Sequence, residues 1–349
     1  MELGVLVVAF LIILLGAELF TNGIEWFGHK LGLAEGAVGS VLAAVGTALP
    51  ETMIPLIAIL AGTGVASDEV GIGAILGAPF MLATLAMFVT GTAILLTARR
   101  RRTGVTLDVN GIVLVHDMKF FAVAYALAIG VAFLPADLTW PRIGVAIVLL
   151  SIYAFYVREH LQAEAGDGDP DLAPLRLHRL DVRAPGHPEP PRLRIVTIQV
   201  LVALALIVGG AYLFVGAVTD LSKSLGIDEV LLALIIAPIA TELPEKFNSV
   251  IWVRLGKDTL AMGNITGAMV FQSVIPTSVA LVFASSSWAV TSDSILAFAS
   301  AGIAFLSAGI IFLPLARGRP LGARTLLVGG PLYLLYVGLV LLKLAGVTF

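Results

Sequence analysis

Two hexapeptides, Gly46-Thr47-Ala48-Leu49-Pro50-Glu51 and Ala240-Thr241-Glu242-Leu243-Pro244-Glu245, decide how this chain is read. Each lies inside a long apolar run, at 36–60 and 229–253, and each puts a carboxylate directly after a proline. Proline removes a backbone donor and frees the carbonyl about one turn earlier. A helix interrupted in this way offers carbonyl oxygens, a threonine hydroxyl and a carboxylate together. Those are the hard oxygen ligands that Ca²⁺ or Na⁺ takes. A charged side chain at the centre of a membrane helix costs about 2.5–3.5 kcal/mol on insertion scales, so Glu51 and Glu245 each require a partner or a task.

The membrane setting follows from composition. Of 349 residues, 58% are hydrophobic and 13% are charged, where a soluble domain carries about 25% charge. Mean hydropathy is +1.01, more apolar surface than a soluble core of this length can hide. Apolar runs fall at 3–26, 36–60, 69–97, 112–134, 139–158, 194–218, 229–253, 259–285, 293–314 and 325–346. Continuous runs of this length without alternation are helical in lipid, so the expected fold is an all-α polytopic membrane protein with ten transmembrane helices. The first run has no basic leader and carries Glu18 and Glu25 toward its end, which argues against a cleaved signal peptide. The absence of cysteine excludes disulfides, thiolate metal sites and a cysteine nucleophile. A net charge of −3 is too small to suggest a nucleic-acid partner.

Lys and Arg orient the spans. With the N-terminus outside, 17 of the 21 positive residues fall in inner loops, and only Arg142, Lys223 and Lys343 fall outside. Lys246, within a span, completes the set. This asymmetry predicts a multi-pass protein of the plasma membrane with its central loop cytoplasmic. Residues 159–193 are rich in Pro, Gly, Asp and Arg and read as a solvated cytoplasmic linker in which His178 and His187 are loose. The Arg99–Arg102 run reads as a topology anchor that attracts anionic lipid, with His116 and Asp117 beside it at the interface. Glu18 and Glu25 face either the transport pathway or the interface.

The two hexapeptides belong to a longer duplication. Residues 16–51 laid over 210–245 match at 12 of 36 positions without a gap, including Gly16/Gly210, Glu35/Glu229 and Thr47/Thr241. Beyond Glu51 and Glu245 the match resumes with Asp68 over Asp258, Gly73 over Gly263 and Gly77-Ala78 over Gly267-Ala268. The chain is thus expected to hold one five-helix repeat at 1–158, the linker at 159–193, and a second repeat at 194–349. Five is odd, so the second copy enters the membrane from the opposite side. Inverted repeats of this kind are the architecture of secondary transporters, with the substrate site near the midplane at the repeat interface.

The segment 46–51 resembles the Gly-Thr-Ser-Leu-Pro-Glu signature of the sodium/calcium exchanger family in the cation/calcium antiporter superfamily, and 240–245 looks like its second copy. Gly263-Asn264-Ile265-Thr266-Gly267-Ala268 is similar to the Gly-Asn-Val-x-Gly-Ser element that opens the following span. Departures from the family are specific. Serines before Leu-Pro-Glu are replaced by Ala48 and Glu242, those after the next glycine by Ala78 and Ala268. One turn further on, Leu82 and Gln272 stand where the family usually has Asn and Asp.

The resemblance implies a secondary active cation antiporter working by alternating access, with calcium as substrate and sodium as counter-ion. Glu51 and Glu245 are the expected central ligands. Thr47, Thr241 and backbone carbonyls near Ala44 and Pro238 complete the coordination, and Glu242 and Gln272 are additional candidates. The lost serines and the added Glu242 favour protons as an alternative counter-ion, and a non-transporting scaffold or sensor is a third reading. Lys246, four residues after Glu242, either neutralises that acid locally or stands in for a transported cation. No cofactor is expected. The expected partners are inorganic cations and the bilayer, with no nucleic acid and no obligate protein partner. Neither HExxH, Walker A nor GxSxG appears in a fitting context, so no enzyme activity is expected.

Overall fold

The computed structural model describes residues 2–48, 52, 55–56, 59–60, 65–162, 172–178, 191–224, 242–291 and 294–346. Among these, the regular secondary structure is helical, and Thr106 and Gly322 form an antiparallel bridge. Helix α1 spans Glu2–Lys30 and α2 spans Glu35–Thr47, with a π-helical turn at Val38–Ala43. Helix α3 runs over 65–97 as Val65–Met81, a π turn at Leu82–Ala86, and Met87–Thr97. Then follow α4 (Gly111–Gly130), α5 (Thr139–Gln162), α6 (Leu193–Ser224), α7 (Leu243–Arg254), α8 (Asp258–Phe283), α9 (Ile295–Ala316) and α10 (Gly329–Leu344).

Eight helical stretches among the described residues are long and apolar enough to cross a membrane. The other two expected spans, 36–60 and 229–253, contain α2 and α7 and run into residues outside the described set. Burial ranks the helices by position. In α8, 83% of the apolar window is covered, against 22% in α5 and 28% in the last span. Helix α8 is therefore the centre of the bundle, and α5 and α10 present most of their surface to lipid, as apolar helices do when a bilayer is the solvent.

Small residues set the closest crossings. Helix α2 lies directly on α8: a Cβ added to Gly267 would sit 2.0 Å from the Ser40 carbonyl oxygen, and one added to Gly263 would meet Ser40 Oγ at 2.9 Å. Helices α1 and α6 pack along each other, with Gly16 against Ile207 and Gly210 against Ile13. Both positions of this contact are related by the offset of 194 that aligns the two halves of the sequence, with glycine and isoleucine exchanging helices.

Three interfacial expectations change, and Glu25, left open between pathway and interface, gains partners. Part of the linker is docked: Asn22 Nδ2 donates to the carbonyls of Ala173 and Pro174, both at 3.3 Å, and Trp26 Nε1 donates to Ala173 at 2.8 Å. The Arg176 and Leu177 amides donate in turn to Asn22 Oδ1 and Gln199 Oε1, while Leu175 is buried with Trp26, Ile195 and Val196. An extended backbone has unpaired amides and carbonyls, and these carboxamide side chains satisfy both kinds. His178 Nδ1 lies 2.6 Å from Leu175 O, so it belongs to the docked strap; His187 lies outside the described residues. Within the arginine run, Arg101 turns inward and pairs with Asp258 at the start of α8, at 2.8 and 2.5 Å. Glu25 accepts from Trp252 Nε1 at 2.8 Å and pairs with Lys257. Asp117 is completely buried. Asn22, Arg101 and Glu25 each found a partner distant in sequence, which removed the cost of burying it.

Candidate functional site

The second hexapeptide opens a helix. Glu242 is the N-cap of α7 with a non-helical backbone (φ −89°, ψ 12°), and Pro244 sits in the first turn, where its missing N–H costs nothing. Glu245 falls in that same first turn, so the positive end of the helix dipole favours its charge. Its side chain is completely buried. Glu242 is 1% exposed and Lys246 4% exposed, and they pair at 3.0 Å through Oε2. Lys246 Nζ also lies 3.3 Å from the Glu242 carbonyl. Glu242 Oε1 has no hydrogen-bond partner among the described residues.

Two further helices close on this turn. The end of α2 packs against both α7 and α8. Ala44 and Thr47 are buried there, and Thr47 Oγ1 lies 3.2 Å from Asn264 Oδ1 of α8 and 3.1 Å from the Ala43 carbonyl. Ser249 of α7 donates to the Ala261 carbonyl of α8 at 3.2 Å, fixing those two helices together. Gln272 is also buried on α8 but eight residues beyond Asn264, about 12 Å along the axis. Glu51, Thr241 and Pro238 lie outside the described residues.

Asn248 and Asn264 were not anticipated as ligands. Both are completely buried. Asn248, one turn after Glu245, has neither its Oδ1 nor its Nδ2 hydrogen-bonded among the described residues, and the same holds for Asn264 Nδ2. Burying an amide without partners costs roughly 1–3 kcal/mol, so a pair of such groups beside two acids marks a place for a polar guest. The signal in the sequence was a lone Asn at i+3 from the proline-linked glutamate, but spacing alone does not separate a ligand from a hydrogen-bonded core amide.

Among the described residues no group of three or more His, Cys, Asp or Glu is arranged to hold a metal. A cation bound here would meet a mixture of carboxylate, amide, hydroxyl and carbonyl oxygens, which is the ligand chemistry of Ca²⁺ and Na⁺. The sodium/calcium exchanger protein family matches residues 1–158 and 195–345. This chain belongs to that family. Its members are membrane transporters of cations, and this member is 22% identical over 284 residues to the putative antiporter CaxA of Alkalimonas amylolytica, covering 79% of each chain. Its fold is similar to that of the sodium-calcium exchanger NCX_Mj. A structure of that protein soaked with Na⁺ and Ca²⁺ gives a TM-score of 0.70 at 15% identity over 97% of both chains. One soaked with Na⁺ and Sr²⁺ gives 0.71 at 16% identity, over 97% of this chain and 98% of that one. The exchanger family is thus the setting in which the acids, amides and hydroxyl around the start of α7 are to be read.

Proposed function

We propose that this exchanger moves calcium against sodium across the plasma membrane by alternating access. Glu245 and Glu51 are the central ligands, with Thr47, Thr241, Glu242, Asn248, Asn264 and the carbonyls near Ala44 and Pro238 around them. Gln272 sits further along the pathway. The observation that carries this reading is the completely buried Glu245 in the first turn of α7, flanked by Asn248, whose amide has no described partner. The site gives exchange by mutual exclusion. A divalent cation or two monovalent ones neutralise the carboxylates, whereas the bare charged site resists movement through lipid.

The architecture that goes with it is ten helices in two inverted repeats, 1–158 and 194–349, joined by the cytoplasmic linker 159–193, with the N-terminus outside. The reciprocal Gly16–Ile207 and Gly210–Ile13 contacts support it, because a two-fold relation between like units makes residue i meet j while j meets i. A second reading, exchange against protons, is favoured by Ala48, Glu242, Ala78 and Ala268 at the positions where the family signature has serine.

Radiolabelled calcium uptake into proteoliposomes tests these readings under an outward sodium gradient, an outward proton gradient and neither. Uptake driven by sodium and lost in Glu245→Gln supports the first reading, and uptake driven only by protons replaces it with the second. Equal uptake by wild type and Glu245→Gln removes Glu245 from the site. Absence of flux with every gradient would leave a binding or scaffold role.

A further inference from the structure

Asp117 of α4 is completely buried and accepts hydrogen bonds from three other helices. Ser40 Oγ of α2 (2.8 Å) and Thr266 Oγ1 of α8 (2.6 Å) meet its Oδ2, while Tyr156 OH (3.1 Å) and His160 Nε2 (3.0 Å) of α5 meet its Oδ1. His160 Nδ1 lies 3.1 Å from the Tyr156 carbonyl. A carbonyl only accepts, so Nδ1 carries a proton, and Nε2 facing a carboxylate oxygen needs a second one between them. With Nε2 3.0 Å from Oδ1 and both side chains buried, a proton on Nε2 turns a repulsive contact between two electron-rich atoms into an ion pair. The geometry therefore calls for one bound proton in the Asp117–His160 pair.

This pair is outside the cation site but is tied to it mechanically. Ser40 lies in the π turn of α2, seven residues before Thr47, and Thr266 follows Asn264 by two residues on α8. Asp117 thus holds both helices at the crossing where Ser40 abuts Gly267, and Tyr156 OH reaches the Ser40 carbonyl at 3.1 Å. Partly exposed groups lie beside the pair. His116, next to Asp117, pairs with Glu159 at 2.8 Å, and its ring centroid is 5.5 Å from that of His160. Both side chains are about one-third exposed, and His116 lines a cavity of about 720 Å³ together with Lys119 and Arg319. The titratable groups around the pair are His116 on α4 and Tyr153, Tyr156 and Glu159 on α5; α2 and α8 face it with the hydroxyls of Ser40 and Thr266.

We propose that Asp117 and His160 form a separate proton-binding site, loaded from this cavity through His116 and Glu159, whose occupancy locks the crossing of α2 over α8. The proton acts here as a regulator and not as the exchanged ion, so the inference stands whichever counter-ion the exchanger uses. Because the folded state binds the extra proton, the stability it confers is present at low pH and lost as pH rises.

Histidine nitrogen NMR on the full-length protein reads the site directly. His160 should carry protons on both nitrogens at neutral pH, with a signal that disappears in His160→Gln. A His160 that stays neutral with its single proton on Nε2 throughout about pH 5 to 9 would overturn the proposal, and needs no variant that folds poorly. Thermal unfolding without cations provides the second readout. The wild-type midpoint should fall by about 2–4 °C as pH rises through the titration, whereas His160→Gln, whose amide still donates to Asp117 but does not titrate, should be flat over that interval. A His160→Gln curve that follows the wild type would refute the lock. His116→Gln should leave the equilibrium curve in place and slow its approach after a pH jump; an unchanged approach would refute the route.

Discussion

A buried asparagine with idle amide atoms costs stability unless a guest uses it, and this makes Asn248 a sharper test of the cation site than either glutamate. Replacing Asn248 with Leu should leave the cation-free protein at least as stable, since an unpartnered polar group is exchanged for an apolar one. The same change should weaken cation-dependent thermal stabilisation by about tenfold in apparent affinity, one lost ligand being worth about 1.4 kcal/mol. Stabilisation equal to wild type would take Asn248 out of the site. Lys246 follows the opposite logic. It pairs with Glu242 at 3.0 Å with both side chains buried, so Lys246→Met strands a buried carboxylate and should cost about 3–5 kcal/mol in unfolding free energy. Adding Glu242→Leu should recover most of that loss. If the double variant is stable and exchanges with an altered cation stoichiometry, Lys246 is a surrogate cation in the cycle; unaltered stoichiometry makes the pair a self-neutralising bridge.

At the level of helices, the contact that positions the site is the backbone crossing of α2 on α8. Gly267→Ala would place a methyl 2.0 Å from Ser40 O, a backbone atom that cannot swing aside, so this variant should unfold at lower temperature and lose cation binding with it. Gly309→Ala on α9 meets nothing within 4 Å and should be neutral or gain up to ~1 kcal/mol from helix propensity. Similar losses in both would mean that glycine flexibility, and not close approach, is what matters. This crossing also separates what was legible in the sequence from what was not. The apolar runs and the paired Leu-Pro-Glu segments are local patterns, readable residue by residue. Asp117 is different: its partners Ser40 and Thr266 are 77 and 149 residues away, and beside Arg99–Arg102 it looks like one more interfacial charge. Arg101 misled for the same reason, since a charge near a span end reads as exposed until its distant partner is known. Asn248 was visible but ambiguous, because one amide in an apolar helix fits either a satisfied core or a ligand.

Across the whole molecule, the loop contacts sort into two ends. The 101–110 loop meets Asp258 at the start of α8 through Arg101, and meets the segment before α10 through Leu107 N to Leu321 O at 2.9 Å. At the other end Val290 N donates to Ala132 O at 3.3 Å. The first end collects arginines and lysines, so the positive-inside rule predicts that it is cytoplasmic and that the 132–138 and 284–290 turns lie outside. On the proposed five-helix repeats the 101–110 and 284–290 loops correspond, and their lying at opposite ends is what an inverted second copy, and alternating access at a shared site, would require. The absence of cysteine makes the chain its own background for testing this. Single variants at two exposed positions, Ala136→Cys and Arg319→Cys, should react with a membrane-impermeant thiol reagent from opposite faces of intact cells. Ala136→Cys should be labelled from outside, and Arg319→Cys only after permeabilisation. Labelling of both from one face would break the parity of the helices and, with it, the inverted repeat, while a simple exchange of faces would keep the repeat and reverse the orientation.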